Sequence, residues 1–319
     1  MEKTNKEQFK TTIGGQALIE GIMMRGPKLD AIVVRGKDGI TVETKERRQR
    51  RPGSVATWPL IRGVVNFFDA QVAGVKALLR SADLSPEETQ ETPSKLDMWL
   101  EKRLGDQGFQ KFVIGAAVAM GLGLSIVLFF LLPMVIGSLI APWIGNLLLQ
   151  NLLEGVIRIV IFSAYIFLAS RMQEMKRVFS YHGAEHKTIR CYEAGLPLTV
   201  ENVRKQPKHH PRCGTSFLFV VIFVSIIVSS IVFGIWPMTN ALMRTGVHLL
   251  LLPLVVGITY EFNRWVGRHV GESGLAKILT APGMWLQNFT TNEPEDGMIE
   301  VAIRAMELVL PEEKGKDEW

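Results

Sequence analysis

The sequence predicts a mainly α-helical membrane protein with four transmembrane helices arranged as two hairpins. Three observations predict this fold class. Hydrophobic residues make up 47% of the 319 positions and the mean hydropathy is positive, at +0.18. The apolar residues are concentrated in four runs, each close to the ~20 residues that a helix needs to cross the ~30 Å hydrocarbon core. Lysine and arginine lie mainly outside these runs. The predicted spans are 112–140, 147–170, 217–236 and 247–262.

The N-terminal region, residues 1–53, is predicted to be a small cytoplasmic α+β unit. The opening MEKTNKEQFK is polar and charged, so we do not expect a secretory signal. Two β-branched runs in AIVVRGKDGITVETK, residues 31–45, flank Asp38 and Gly39, which is a hairpin signal. In the glycine-rich stretch 11–29, Pro27 stands where a phosphate-binding loop needs lysine, so we expect no nucleotide site.

Residues 54–84 are predicted to form an amphipathic helix that lies in the membrane interface. Six positions spaced three or four residues apart form one narrow polar stripe, and apolar side chains occupy the rest of the circumference. A fifth span is the alternative, but it would bury four charged side chains in the bilayer. Residues 85–111 follow as a polar linker and a pre-membrane helix. The stripe consists of Arg62, Asn66, Asp69, Ala73, Lys76 and Arg80.

The distribution of basic residues predicts the orientation. Residues 112–170 and 217–263 are predicted to form transmembrane hairpins, because each pair of spans is joined by a short connection. The two connections, 141–146 and 237–246, contain one arginine in total and no lysine. The loop 171–216 carries nine lysines and arginines, so this loop, the N-terminal region and the tail 264–319 are predicted to be cytoplasmic. This topology and contact with the lipid bilayer account for the net charge of +5, so we expect no direct sequence-specific nucleic-acid binding.

Two further elements follow from local patterns. Within the second span, Glu154 and Arg158 stand four residues apart and are predicted to neutralise each other, as a structural clasp or as a functional pair. In the C-terminal tail, apolar residues repeat with helical period after Pro294. This pattern predicts an amphipathic helix that docks on the cytoplasmic region.

The stretch YHGAEHKTIRCYEAG, residues 181–195, contains the strongest candidate for chemistry. His182, Glu185 and His186 spell H-x-x-E-H, the pattern of inverted zinc metallopeptidases. If 171–194 continues the second span as a helix, the two histidines share one face and can bind one ion. Cys191 then points to the opposite face, and Glu193 lies too far along the helix to join the same ligand set.

A third ligand is expected from KHHPRCG, just before the third span. His210 or Cys213 would complete the set for zinc or another divalent metal, with Glu185 as the general base. The alternative is a nucleophilic Cys213 activated by His182 or His210. A straight helix would carry His182 about 18 Å beyond the membrane, so either site requires a bend in that helix or an early start of the third helix.

Several motifs together resemble one known family. GGQALIEGIMMRGP, YHGAEHKTIRCYEAG, HPRCGTSF, YEFNR and TTNEP are similar to motifs of the YqhQ-like family of bacterial membrane proteins, which are described as metal-dependent enzymes. The resemblance extends from about residue 14 to residue 310 and implies a multi-pass protein of the bacterial cytoplasmic membrane. Asn292 stands where we expect an arginine, and His209 falls outside the motif. Beyond the histidines and Cys213, the resemblance adds the candidates Glu20, Arg25, Arg212, Glu261 and Glu293. Arg264, at the cytoplasmic end of the fourth span, is a further candidate from its position.

These observations predict a metal-dependent hydrolase on the cytoplasmic face, acting on a peptide or a lipid headgroup. The alternative is a non-catalytic factor in membrane-protein biogenesis, or a scaffold, that binds a translocon, a nascent chain or the ribosome. The basic cytoplasmic surface and the interfacial helix favour this alternative.

Overall fold

The structure is a computed structural model that describes residues 9–47, 50–51, 53–85, 95–238, 240–269, 273–313, 315 and 317–318. Most of the predicted linker, residues 86–94, and part of the basic run ERRQRR lie outside the described residues. About 70% of the chain is helical, and the only sheet among the described residues is a small one near the N-terminus. The predicted mainly helical class is therefore confirmed.

The N-terminal sheet has four antiparallel strands in sequential order: β1 (Gly14–Leu18), β2 (Gly21–Arg25), β3 (Leu29–Gly36) and β4 (Gly39–Glu46). The predicted hairpin of β3 and β4 is confirmed. Gly36 pairs with Gly39 across a two-residue turn, and Gly39 has a positive φ of 120° that favours glycine. The first hairpin lies within the glycine-rich stretch 11–29, for which no strands were predicted.

Helix α1 (Ile61–Leu84) is the predicted amphipathic helix, and it begins after a short 3₁₀ turn at Val55–Thr57 rather than at residue 54. Its polar stripe binds other elements of the protein: Arg62 pairs with Glu261, and Arg80 with Glu43. Its apolar side is the exposed one, with Phe68 58% accessible. A helix with an exposed apolar side of this kind is suited to contact lipid.

The first apolar hairpin contains α2 (Lys95–Ile126), a π-helical turn at Val127–Leu131, α3 (Leu132–Ile140) and, after a 3₁₀ turn at Ala141–Trp143, α4 (Leu147–Ala169). Gly105 interrupts α2 with a φ of 68°. The predicted pre-membrane helix and first span are therefore parts of one interrupted helical segment.

The basic loop after α4 contains α5 (Gln173–Glu193) and α6 (Val200–Arg204). The prediction that α5 simply continues the second span was wrong. Residues 170–172 form turns instead of helix, and Met172 has extended backbone angles, φ −69° and ψ 140°. Because of this break, α5 is not a straight extension of α4, and His182 need not lie far beyond the apolar segment.

The second apolar hairpin contains α7 (Gly214–Ile235) and α8 (Ala241–His269), and it is followed by α9 (Gly274–Thr290) and α10 (Asp296–Val309). Among the described residues, four helices are long and apolar enough to cross a membrane, and α1 is not one of them. These four segments are Lys111–Trp143, Leu149–Ala169, Gly214–Ile235 and Met243–His269. The predicted number of spans agrees with this count.

The chain divides into two compact units, and the first contains residues 1–85, 163–225 and 252–319. Its core is formed by the sheet, α5 and α10. Helix α10 is the predicted amphipathic tail helix, and it packs on β2, β3 and α5. The central side chains of this core are almost completely buried: Ile22, Val33, Tyr181, Ile299, Ala302 and Met306.

The second unit contains residues 86–162 and 226–251. It buries the carboxylate of Glu154 beside Arg158 at 3.2 Å and Arg244 at 2.8 Å. The predicted pairing of Glu154 with Arg158 is thus extended by a second arginine from α8. His248 lies 3.7 Å from the same carboxylate, so the group is a network that joins two helices.

Candidate metal centre

Helix α5 presents His182 and His186 on one face, one turn apart, with ring centroids separated by 4.3 Å. Gly183 lies between them because the chain at Asn292 passes directly over the helix. A Cβ at Gly183 would lie 2.0 Å from the Asn292 carbonyl oxygen. Asn292 also donates its backbone N–H to Phe179 O at 2.9 Å. The TTNEP motif is thereby fixed against the helix that carries both histidines.

The tautomers of both histidines follow from their backbone contacts. His182 Nδ1 lies 2.7 Å from Thr290 O, and His186 Nδ1 lies 2.7 Å from Lys208 O. A carbonyl oxygen can only accept, so each Nδ1 donates its hydrogen, and in the neutral ring each Nε2 keeps a lone pair. This arrangement, with one ring nitrogen held by a backbone carbonyl and the other free, is typical of metal-binding histidines.

Cys213 supplies the third atom of the cluster from the N-terminus of α7. Its Sγ lies 3.2 Å from His182 Nε2 and 3.2 Å from Thr215 Oγ1. The backbone N–H of Thr215 also points to the sulfur at 3.4 Å. Among the described residues, one group of three or more His, Cys, Asp or Glu side chains has its ligand atoms within 4.8 Å of one another, and it consists of His182, His186 and Cys213.

The loop before Cys213 is held by Gln287 of α9, which is completely buried. Its Oε1 accepts from His210 N at 2.7 Å, and its Nε2 donates to His210 O at 2.8 Å and to Ser216 Oγ at 3.2 Å. Sequence reasoning missed Gln287 because it lies 74 positions from Cys213 in a helix with no motif of its own. Gln287 thus holds the backbone of His210 and the side chain of Ser216, on either side of Cys213, and so fixes the position of the Cys213 sulfur.

Glu185 is buried beside the two histidines. Its Oε1 accepts the backbone N–H of Gly15 at 3.0 Å, and its Oε2 has no hydrogen-bond partner among the residues that the structure describes. A Cβ at Gly15 would lie 2.8 Å from Glu185 Cδ, so only glycine on β1 lets the carboxylate approach the strand. Glu185 is not a member of the three-residue group, which leaves its free oxygen available to another partner.

Burial changes the protonation of these groups. It raises the pKa of Glu185 to about 7 and lowers the pKa of His186 to about 4. Burial also raises the pKa of the Cys213 thiol, but the neighbouring His186 and hydrogen bonding with His186 and Thr215 outweigh it, so this pKa lies below its ordinary value. A neutral imidazole and a thiolate are the forms in which these side chains bind metals.

His210, the other predicted third ligand, is not a member of this group, although its ring centroid lies 5.6 Å from that of His186. Its Nε2 lies 3.4 Å from Glu193 Oε2, and Arg212 binds the other oxygen of Glu193. Arg212 also contacts Thr11 O at 3.4 Å. The structure therefore places His210 and Arg212 in an ion-pair network beside the cluster.

The remaining candidates separate into two groups. Arg25 and Arg264 line the large cavity next to the cluster. Glu20, Glu261 and Glu293 instead pair with Arg177, Arg62 and Lys187, respectively. Asn292, at the position where an arginine was expected, donates its side-chain amide to Lys176 O at 3.1 Å.

Two cavities meet at the cluster. A small one of about 140 Å³ is lined by both histidines, Glu185 and Cys213. A larger one of about 870 Å³ shares His182, Glu185 and Cys213 with it. The larger volume is in the range of ligand-binding pockets.

The donor set fits a divalent ion such as zinc. Bonds of about 2.0–2.3 Å in a tetrahedral site require ligand atoms about 3.3–3.8 Å apart, and the 3.2 Å separation of His182 Nε2 and Cys213 Sγ is close to this. Two imidazoles and one thiolate leave a fourth position open, as in catalytic zinc sites.

A model of the family described as "Protein of unknown function (DUF1385)" matches residues 58–312. The chain is also similar to "Uncharacterized protein YqhQ" of Bacillus subtilis (strain 168), with 34% identity over 317 residues, which covers 96% of this chain and 94% of the relative. No solved structure matches. Both matches include α5, the loop to α7 and the segment at 290–294 that orients His182.

Proposed function

The chain belongs to the DUF1385 family of YqhQ-like proteins, and from the geometry of its histidine–cysteine cluster we propose that it is a metal-dependent membrane hydrolase. His182, His186 and Cys213 would hold a divalent ion, with zinc the best match to the donor set. Glu185 would act as the general base.

The observation that carries the proposal is the excess of lone pairs over hydrogens in the cluster. Both Nδ1 atoms donate to backbone carbonyls, at 2.7 Å each, so both Nε2 atoms present lone pairs to the sulfur of Cys213. A thiol has one hydrogen and can satisfy one of the two nitrogens. Protonating both rings would bury two positive charges, which burial opposes at His186. A cation satisfies all three atoms together.

Glu185 is suited to move a proton within this site. Hydrolysis joins the oxygen of a water molecule to an acyl or phosphoryl centre, breaks the bond to the leaving group and delivers the proton to that group. The free Oε2 of Glu185 can take this proton, while Gly15 holds Oε1 in place. The bound ion would supply Lewis-acid polarisation and lower the pKa of a water molecule that it binds.

We propose the bacterial cytoplasmic membrane as the location, with both termini on the cytoplasmic side. The excess of lysine and arginine in residues 171–216 supports this orientation. The exposed apolar side of α1, which includes Phe68, Val72 and Val75, would lie in the same interface.

The metal content of purified full-length protein tests the proposal. We expect about one zinc per chain by elemental analysis in the native protein and in Glu185→Gln. His182→Ala, His186→Ala and Cys213→Ser should each lose it, because two protein ligands retain the ion poorly.

Cys191→Ser is the matched control. Cys191 is the other cysteine of the chain, is buried in the core and directs its sulfur to Pro197 O at 3.5 Å. It should keep the metal. Native protein without metal, or full occupancy in both histidine variants, would refute the metal centre and favour the biogenesis or scaffold function.

A nucleophilic cysteine is the second candidate, favoured by the 3.2 Å contact of Cys213 Sγ with His182 Nε2. Alkylation separates the two candidates. A sulfur bound to metal should react with iodoacetamide slowly until a chelator removes the ion. A free nucleophile should react at the same rate with and without the chelator.

A further inference from the structure

The large cavity beside the cluster has an excess of positive charge. Among its lining residues that the structure describes, four are arginines and two are carboxylates. One of these carboxylates, Asp69, is already paired with Arg50. The other is Glu185, the proposed base. The arginines are Arg25, Arg47, Arg212 and Arg264.

The pairing of the four arginines leaves part of this charge uncompensated. Arg25 and Arg47 share one carboxylate, Asp30, at 3.2 and 3.5 Å. Arg264 has no ion-pair partner within the described part of the chain, since both oxygens of neighbouring Glu261 are held by Arg62. Burial and the nearby Arg25 lower the pKa of Arg47, so an anion between these side chains would relieve a repulsion.

Apolar side chains near the ends of two candidate spans form one wall of the cavity. The first turns of α7 contribute Phe217 and Leu218, and the last turns of α8 contribute Val266. Helix α1 adds Phe67, which stacks on Phe217 with ring centroids 6.0 Å apart. Because α7 begins and α8 ends here, this wall lies at the level where both helices would leave the bilayer.

We propose that this cavity binds a lipid whose headgroup carries a phosphate. Guanidinium groups bind phosphate through paired N–H donors, and Arg264 together with Arg25 and Arg47 offers such donors on the cavity wall. The acyl chains would run along Phe67 and Leu218 toward the bilayer.

This inference rests on the proposed function in one respect, because it takes the bound lipid to be the substrate of the proposed hydrolase. The cavity also contacts His182, Glu185 and Cys213, so a bound headgroup would reach the cluster. Lipid binding itself does not require the metal ligands, so the two proposals can fail separately.

The test is a fluorescence titration of zinc-loaded, detergent-solubilised full-length protein with labelled phosphatidylglycerol and labelled phosphatidylcholine. We expect saturable binding of phosphatidylglycerol at least tenfold tighter than that of phosphatidylcholine. Arg264→Gln should weaken phosphatidylglycerol binding about tenfold, with unchanged zinc content. Arg268→Gln is the matched control, one helical turn further along α8, exposed and outside the cavity lining.

Competition distinguishes the sources of the phosphate. Unlabelled phosphatidylglycerol should displace the probe, and inorganic phosphate at the same concentration should not. Equal displacement by inorganic phosphate, equal affinity for the two lipids, wild-type binding by Arg264→Gln, or displacement by an unstructured peptide would each overturn the proposal. Loss of zinc binding with intact lipid selectivity would refute only the metal centre.

Discussion

Gly183→Ala should damage the proposed metal site without changing a proposed ligand. The new methyl group would lie 2.0 Å from the Asn292 carbonyl oxygen, whereas carbon atoms in folded proteins do not approach such oxygens closer than about 3.0 Å. The segment over α5 must therefore move by about 1 Å or more. This segment also carries Thr290 O, which accepts from His182 Nδ1 at 2.7 Å.

A displacement of this size would break two kinds of contact. The His182 contact and the Asn292 N–H to Phe179 O hydrogen bond, at 2.9 Å, would both exceed the 3.5 Å limit of a hydrogen bond. Each loss costs about 1 kcal/mol, and forcing a methyl group into a packed site costs about 1–3 kcal/mol. We expect a loss of stability of about 3–5 kcal/mol, and a metal affinity about 10–100-fold weaker because His182 loses its orienting carbonyl.

Thermal unfolding followed by circular dichroism and zinc competition against a chromophoric chelator measure the two effects. Gly14→Ala is the control, because no heavy atom lies within 4 Å of its added Cβ. Asn292→Ala is a milder variant that removes the side-chain hydrogen bond to Lys176 O, and should cost about 1 kcal/mol. Wild-type stability and zinc affinity in Gly183→Ala would refute the packing of this segment on α5.

Two further predictions concern the loop and the topology. Gln287→Leu should lower stability by about 2–4 kcal/mol and weaken zinc binding, because the buried N–H and C=O of His210 lose their partners. Thermal unfolding and zinc titration measure the two effects. Unchanged values would refute the role of Gln287 in holding the loop before Cys213. A cysteine introduced at exposed Glu201, in a Cys191→Ser background, should resist a membrane-impermeant thiol reagent in intact cells, and labelling there would reverse the proposed orientation.

The elements that sequence predicted are those that local patterns determine. The spans follow from hydropathy, the β3–β4 hairpin from a two-residue turn with glycine, and α10 from helical periodicity. The pairing of His182 with His186 was equally predictable, because residues four apart share a helical face. The β1–β2 hairpin was not predicted because its glycine-rich strands lack the β-branched runs that indicate β3 and β4, whereas Gly15 is required where the side chain of Glu185 packs on the strand.

Features that depend on distant segments were not predictable from pattern alone. The choice between His210 and Cys213 depends on how Gln287 of α9 holds the intervening loop. The break between α4 and α5 occurs in ASRMQ, which contains neither glycine nor proline, so no local signal indicated it. The orienting carbonyls of Thr290 and Lys208 are backbone groups, and any residue type could supply them.

The three motifs around the cluster depend on one another in a definite order. YHGAEH supplies two of the proposed ligands, but their tautomers depend on backbone carbonyls from TTNEP and from the loop that contains HPRCG. HPRCG supplies the sulfur, whose position depends on Gln287 of α9. A substitution that displaces the chain at 290–292 should therefore resemble loss of His182 in metal affinity, although it removes no ligand. By the same reasoning, substitution of Glu20 or Glu293 should leave metal affinity unchanged, because these carboxylates pair with Arg177 and Lys187 and not with a proposed ligand.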